Sequence, residues 1–226
     1  MYRLILNILP LTFKDKYRAA WHDVKMDFMI AAGKLTRLLH RSTLPNNIDG
    51  SINLHLGCGG VNHPAFINID GIPAKHIHYV MRLDKLSPFR DNSVDLIYAC
   101  HCLEHFSHLQ MLKVLREWYR VLKKGGILRV SVPDFDSMVD IYLATGRDIS
   151  QVLNPITGGQ EYRFNYHMTI FNEVSLGKLF LAAGFTRTQT WTPGSSEMTT
   201  FDDWSGRALS FNDRTFPISL NLEAIK

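Results

Sequence analysis

The chain has 226 residues, of which 46% are hydrophobic and 20% are charged. This composition is typical of a folded globular protein and excludes a disordered or fibrous one. The net charge is +4, and because no stretch approaches the roughly 18 consecutive apolar residues of a membrane span, the sequence predicts no transmembrane helix.

The positive charge is concentrated at the start of the chain. Eight basic and three acidic residues precede Pro45, so this segment carries +5 and the remainder about −1. Apolar residues recur every three or four positions between Lys14 and Arg41, which predicts an amphipathic helix. Two interpretations of this helix stay open, a lid or partner face packed on the domain and a basic helix lying on an anionic membrane surface. Its apolar stripe consists of Tyr17, Trp21, Val24, Phe28, Ala31, Leu35 and Leu38.

A turn-rich stretch over residues 43–50 separates this arm from the main domain. We therefore predict a basic helical arm over 1–48 and one domain over 49–226, with a lid or substrate loop at about 192–215. Short apolar runs alternate with helical patterns in the domain, which predicts an α/β fold, a mainly parallel sheet of seven strands with helices on both faces. The expected strands are 52–56, 66–69, 78–81, 94–98, 127–132, 185–191 and 216–223, and the expected helices are 109–122, ended by Gly125 and Gly126, 135–145, and 172–183 with Asn172 as its cap.

Cysteine usage bears on the compartment. Cys58, Cys100 and Cys102 are odd in number and fit no zinc or redox spacing, so we predict free thiols and a reducing compartment. The first eleven residues lack the longer apolar region and the cleavage site of a secretory signal. We expect a cytoplasmic protein, with peripheral membrane contact through the N-terminal helix as an open alternative.

Glycines follow the first predicted strand directly, in the sequence Gly57-Cys58-Gly59-Gly60. Glycine permits a sharp turn and lets a ligand approach the backbone closely, and the carboxyl end of the first strand is the usual ligand crevice of an open parallel sheet. A Gly-x-Gly pattern alone is weak. Asp70 at the end of the second strand strengthens it, because a carboxylate there can bind the two hydroxyls of a ribose.

Residues that suit a ligand site also follow the third predicted strand and precede the fourth. Leu83 and Asp84 follow the third strand, and a Pro88-Phe89 turn leads into Val94-Asp95-Leu96-Ile97. Together, residues 53–133 resemble class I methyltransferases that use S-adenosylmethionine. The resemblance implies a Rossmann-like fold and S-adenosylmethionine as the cofactor. It also implies that Gly57, Cys58 and Gly59 face the methionine portion through backbone groups, that Asp70 holds the ribose, and that Leu83 and Asp84 meet the adenine. Leu56 is a further expected cofactor-binding residue.

The step from the glycines to the acid is short. Ten residues separate Gly59 from Asp70, whereas a dinucleotide-binding fingerprint has about 20. The first crossover helix is therefore expected to be absent or reduced to a turn around Asn62-His63-Pro64, which argues against a nicotinamide oxidoreductase. This shortened form resembles the methyltransferases found with polysaccharide and glycolipid assembly genes.

The sequence His101-x-x-Glu104-His105 matches a zinc pattern in which helical spacing places two imidazoles on one face. That pattern needs a helix throughout, but His101 follows the predicted strand 94–98 almost directly. We therefore expect no metal, and we place His101 in the loop above the cofactor.

Methyl transfer to a hydroxyl requires alignment of donor and acceptor and removal of a proton. His105, just past the fourth strand, is the first candidate base and His167 is the second; either histidine is alternatively a loop-bonding side chain. Candidates for substrate contact are Asp134, which otherwise caps the next helix, Tyr166, and Trp204, which either stacks on a sugar face or anchors its loop.

We expect an O-methyltransferase that acts on a sugar hydroxyl of a glycan or glycolipid precursor. The chain lacks the Asn/Asp-Pro-Pro-Tyr/Phe motif of amino-directed DNA methyltransferases and a basic stripe for a phosphate backbone, so no nucleic acid partner is expected. Three alternatives stay open: a small-molecule or lipid methyltransferase, a non-catalytic relative that binds a partner through the N-terminal helix, and a zinc hydrolase built on His101 and His105. The sequence does not fix the oligomeric state.

Overall fold

The computed structural model describes residues 43–162, 164–194 and 202–226, together with residues 28, 31, 32, 35 and 198. Phe28, Ala31, Ala32 and Leu35 are helical. The rest of the predicted helix over 14–41, and with it the lid and membrane interpretations, lies outside the described residues. No described helix is long and apolar enough to cross a membrane.

The described elements alternate strands with helices and short 3₁₀ turns. The strands are β1 (Asn53–Leu56), β2 (Ile67–Asp70), β3 (Tyr79–Val80), β4 (Val94–Cys100), β5 (Leu122–Pro133), β6 (Arg187–Thr190), β7 (Ala208–Phe211), β8 (Arg214–Pro217) and β9 (Ser219–Ile225). The α-helices are α1 (Met111–Val121), α2 (Phe135–Ala144), α3 (Leu153–Thr157) and α4 (Glu173–Ala183), and 3₁₀ turns cover Leu103–His105, Ile149–Gln151 and Trp204–Gly206.

Seven strands form one sheet in the order β3-β2-β1-β4-β5-β9-β6. The first five strands are parallel to their neighbours, whereas β9 lies antiparallel between β5 and β6. All four residues of β1 are buried, as expected for a central strand covered on both faces. Because parallel strands end at the same edge, Leu56, Asp70, Cys100 and Pro133 lie along one carboxyl edge of the sheet.

The structure confirms the predicted α/β fold with a mostly parallel seven-stranded sheet. No helix lies between β1 and β2, where turns cover the crossover, as the short spacing predicted. Asn172 caps α4 through a reciprocal bond pair with Ser175, and Gly184 ends that helix with a φ of 116°.

Two boundaries differ from the prediction. Helix α1 ends at Val121 and β5 already begins at Leu122, so Gly125 and Gly126 lie within the strand and do not end the helix. The N–H of Gly125 donates to the carbonyl of Lys226, so pairing with the end of β9 holds this part of the strand. The predicted strand over 216–223 is divided, because residues 214–217 pair with β7 as a hairpin and β9 begins at Ser219.

The packing of α1 supports the carboxyl edge from one side of the sheet. Its buried face comprises Met111, Val114, Leu115, Trp118 and Val121, which recur at helical spacing and enter the main core. The indole N–H of Trp118 donates to the carbonyl of Leu83 at 2.7 Å. This bond fixes the backbone that follows β3 at the edge where the predicted ligand site lies.

Candidate active site

The glycine turn after β1 shows why glycine is needed there. Gly57 and Gly59 have φ values of 64° and 54°, in the left-handed region that L side chains avoid. A Cβ at Gly57 would lie 2.6 Å from the Cβ of Cys102, whereas a Cβ at Gly59 would meet nothing within 4 Å. Gly57 therefore allows the segment after β4 to pack closely, and Gly59 borders open space at the carboxyl edge.

Asp70 shapes the same turn. Its carboxylate accepts the N–H of Gly59 at 2.9 Å and the N–H of Ile72 at 2.8 Å, one on each oxygen. The ring Nε2 of His76 donates to the carbonyl of Gly59 at 2.8 Å. Each carboxylate oxygen has a second lone pair, and Asp70 is partly exposed, so it has acceptor capacity left for a ribose hydroxyl. The ribose role itself stays a prediction.

Asp84 is engaged differently. Arg82 donates to both of its carboxylate oxygens, at 2.8 and 2.7 Å, and these hydrogen bonds hold the pKa of Asp84 below its usual value. The carboxylate faces a cavity that Lys113, Arg116 and Glu117 also line. A side-chain contact from Asp84 to adenine would compete with Arg82, so Leu83 is the better placed of the two predicted adenine residues. Both assignments stay predictions.

The three cysteines are buried free thiols. Burial raises the pKa of Cys58 and of Cys102 well above the usual value, and the nearby carboxylates add to the effect. A thiol that stays protonated is a poor nucleophile. A role of Cys58 through its backbone stays a prediction, and Cys102 fills space against Gly57.

His101 follows β4 with a φ of 48°, a sparsely populated conformation for a residue that is not glycine. Its Nε2 lies 2.8 Å from the hydroxyl of Ser219, and its Nδ1 lies 3.3 Å from Oε1 of Glu104. The hydroxyl of Ser219 donates to the carbonyl of Trp204, so it accepts from His101. The ring thus lies between β9 and Glu104, and its cofactor contact stays a prediction.

A segment over residues 164–171 crosses the carboxyl edge and brings His167 to the site. The N–H groups of Met168 and Thr169 donate to the carbonyl of Glu104 at 2.8 and 3.2 Å. Phe171 is buried and forms a bridge to Asp134 at the end of β5. These contacts place the rings of His105 and His167 with their centroids 5.0 Å apart, so the structure brings the two predicted bases together.

Each of these imidazoles is oriented by a backbone carbonyl. Nδ1 of His105 donates to the carbonyl of Tyr166 at 3.1 Å, and Nδ1 of His167 donates to that of Pro155 at 2.8 Å. A carbonyl accepts only, so both Nδ1 atoms carry a proton, and the lone pair of either ring in its neutral form lies on Nε2. Nε2 of His167 lies 3.9 Å from Oε1 of Glu104.

Glu104 is the buried charge of this group, with 1% of its surface exposed. Burial acts to raise the pKa of its carboxyl, but the neighbouring His101, His105 and His167 outweigh it and the pKa is lowered. Burial lowers the pKa of His167, although the nearby Glu104 opposes this. The site therefore holds a buried carboxylate beside the imidazole of His167, whose neutral form is favoured by burial.

The three predicted substrate residues lie at the same edge. Asp134 is the N-cap of α2 and accepts the N–H of Asp136 at 3.2 Å, so the structure shows its capping role. Trp204 is 51% exposed, with the guanidinium of Arg207 4.6 Å from its ring centroid and the ring of His101 6.0 Å away. Tyr166 is 46% exposed, and its carbonyl orients His105.

Sequence reasoning did not select Glu104, Ser219 or Tyr162 as site residues. Glu104 stands within the His-x-x-Glu-His pattern, and that pattern was the available signal. Burial raises the pKa of the Tyr162 phenol, and the negative charges of Asp70 and Glu161 add to this effect. No sequence signal marks Ser219 or Tyr162, because their positions depend on how the chain folds back after β5.

The structure does not support His101 and His105 as a pair of zinc ligands. Residues 103–105 form a single 3₁₀ turn, and the Nε2 of His101 is bonded to Ser219. The partner that the structure brings to Glu104 and His105 is His167, from a segment 62 positions after His105.

Residues 54–130 match a family model described as a methyltransferase domain. The match covers β1, the glycine turn, Asp70, the His101–His105 segment and α1, and it confirms the predicted enzyme class. With it, S-adenosylmethionine is the methyl donor, as the sequence resemblance implied. No curated protein matches the chain in a sequence comparison.

Solved structures resemble the whole fold. A methyltransferase from Archaeoglobus fulgidus, described as SAM dependent, is 14% identical over 89% of this chain and 94% of its own, with a TM-score of 0.50. A SAM-dependent methyltransferase from Thermotoga maritima is 18% identical over 95% and 96%, with a TM-score of 0.47. A Haloferax volcanii structure of a methyltransferase with the activator Trm112 is 16% identical over 92% and 96%, with a TM-score of 0.48. At these identities the likeness concerns the fold.

Proposed function

We propose that this methyltransferase transfers the methyl group of S-adenosylmethionine to a sugar hydroxyl of a glycan or glycolipid precursor. The observation that carries the proposal is the pairing of His105 and His167 at the edge of the sheet where the exposed indole of Trp204 lies against the ring of His101. A hydroxyl acceptor needs a group that helps it lose its proton, and an exposed aromatic face suits the apolar face of a sugar ring.

The residues at the glycine turn fit the donor. Open space borders Gly59, and Asp70 beside it has acceptor capacity left. When bound there, S-adenosylmethionine supplies a methyl group activated by its sulfonium charge. The acceptor oxygen forms the new bond to carbon while the sulfur–carbon bond breaks, and the hydroxyl proton leaves. The backbone N–H of His105 donates to the carbonyl of Cys102, the residue that packs on Gly57, and we assign the loss of the proton to His105 or His167.

A specific observation favours a second candidate, a lipid acceptor. Tyr166, Met168 and Ile170 are 46%, 56% and 53% exposed, while His167 and Thr169 between them turn inward. This alternation gives the segment an apolar outer face next to the imidazoles. A glycolipid would use both features, the indole for its sugar and the apolar face for its lipid, whereas a simple lipid would use the second alone.

The test is a labelled-methyl assay over lipid-linked glycans, nucleotide sugars and free lipids, with the product identified by mass spectrometry. We expect a methyl ether on a sugar. Replacement of the imidazole in His105→Ala should lower turnover by about 10²- to 10⁴-fold and leave donor affinity unchanged. His108→Ala removes an exposed histidine of the same segment and is the matched control. Label found on an amine, or on free lipid alone, would contradict the proposal.

A companion variant tests the role of the indole. Trp204→Ala should raise the KM for a glycan acceptor with little change in kcat, because a binding surface is lost and the reacting groups remain. Phe211→Ala, which removes a 40% exposed aromatic ring from β7, should leave the KM unchanged. Equal effects of the two substitutions would remove Trp204 from the acceptor site.

A further inference from the structure

We propose that Glu104, His105 and His167 form a binding site for a divalent transition metal, with zinc as the first choice. A carboxylate oxygen and one nitrogen from each ring lie within 4.8 Å of one another. Two histidines and one carboxylate are a familiar ligand set for zinc at sites that keep a further position open. The third ligand comes from a distant part of the chain, which is why the sequence pattern alone does not reveal the set.

The carboxylate of Glu104 is the strongest argument. It is 1% exposed, and neither of its oxygens accepts a hydrogen bond from any residue that the structure describes. The nearest ring nitrogens, Nδ1 of His101 at 3.3 Å and Nε2 of His167 at 3.9 Å, are at ion-pair distances. A buried carboxylate without hydrogen bonds is costly, and a bound cation between it and the two imidazoles would satisfy it.

The imidazoles are already oriented as ligands. Backbone carbonyls hold the Nδ1–H groups of His105 and His167, which is the outer-shell arrangement that fixes the tautomer of a metal-binding histidine. Both Nε2 lone pairs remain available for a cation. His101 lies on the outer side of Glu104, with its Nδ1 3.3 Å from Oε1 of the carboxylate and its Nε2 bonded to Ser219 on β9.

The distances suit a small cation after a modest adjustment. Bonds of about 2.1 Å in a tetrahedron place ligand atoms roughly 3.4 Å apart, and the observed atoms lie within 4.8 Å. Each ligand atom therefore has less than about 1 Å to travel. His105 is partly exposed, so a cation can reach the three side chains from solvent.

A metal at this site would also take part in the proposed methyl transfer. That catalytic role rests on the proposed function, whereas metal binding does not depend on it. A hydroxyl that takes the open position loses its proton to water more easily, as bound water does on zinc. The two histidines would then activate the acceptor as ligands in place of removing its proton directly. Metal binding is measured without donor or acceptor, so failure of the site and failure of the proposed function are separate results.

The experiment removes metal from the full chain with a chelator and titrates it with zinc chloride, with bound zinc counted by mass spectrometry. We expect one zinc per chain. Glu104→Gln, His105→Ala and His167→Ala should each weaken binding by more than the roughly 10- to 100-fold that loss of an outer-shell partner costs. His108→Ala is the matched control and should bind as the wild type does.

Cobalt chloride added to the wild type gives a second readout, since visible absorption bands of low-coordinate cobalt report nitrogen and oxygen ligands without any variant. If Glu104→Gln does not fold, as judged by circular dichroism, the partly exposed His105 carries the test as His105→Asn. Absence of stoichiometric zinc in the wild type overturns the proposal. So does zinc that the ligand variants retain at wild-type affinity.

Discussion

Substitution of Gly57 by alanine separates two physical costs at the glycine turn. Gly57→Ala forces an L side chain into a left-handed backbone, at about 1 to 2 kcal/mol. It also places a Cβ 2.6 Å from the Cβ of Cys102, an overlap that no rotamer change relieves, at about 1 to 3 kcal/mol more. Gly59→Ala incurs the backbone cost alone, because nothing lies within 4 Å of its Cβ.

The assay is urea unfolding of both variants. We expect the free energy of unfolding to fall by about 2 to 5 kcal/mol in Gly57→Ala and by about 1 to 2 kcal/mol in Gly59→Ala. Cys102→Gly removes the opposing Cβ, so a double-mutant cycle with Gly57→Ala should return a coupling energy of about 1 to 3 kcal/mol. Equal losses in the two alanine variants, together with no coupling, would refute the packing argument.

Two further predictions concern stability. Burial lowers the pKa of His55 to about 3. Below pH 6.5 the unfolded chain therefore binds a proton at this residue, whereas the folded chain does not. Between pH 6.5 and 5 the free energy of unfolding of the wild type should fall by roughly 2 kcal/mol more than that of His55→Gln. Parallel pH profiles from urea unfolding would count against this. Asn172→Ala removes the reciprocal cap of α4 and should cost about 1 kcal/mol, measured by thermal unfolding against Asn154→Ala, a control with no capping side chain.

The sequence predicted those parts of the site that depend on strand order. Gly57 and Asp70 each follow a strand directly, and parallel strands end at the same edge, so their proximity follows from the topology. The capping role of Asn172 is likewise local, since its partner Ser175 is three residues away.

The remaining parts depend on how distant backbone segments are aligned. His167 reaches Glu104 because the N–H groups of Met168 and Thr169 bond to the carbonyl of Glu104, and no side-chain pattern encodes that register. Arg82, two residues before Asp84, donates to the carboxylate of Asp84. This hydrogen bond competes with the predicted contact between Asp84 and the adenine. The hairpin of β7 and β8 was missed because its residues are mostly exposed, so they show little of the apolar alternation that identifies strands.

The most direct test of the donor site is calorimetric titration of the wild type and of Asp70→Ala with S-adenosylmethionine. The structure predicts that the wild type binds one donor per chain and that Asp70→Ala binds it about 1 to 3 kcal/mol more weakly, because acceptors for polar hydroxyls are lost. Asp140→Ala, an exposed acid on α2, should bind as the wild type does. No binding by the wild type, or equal affinity in Asp70→Ala, would contradict a donor site built on the glycine turn and Asp70.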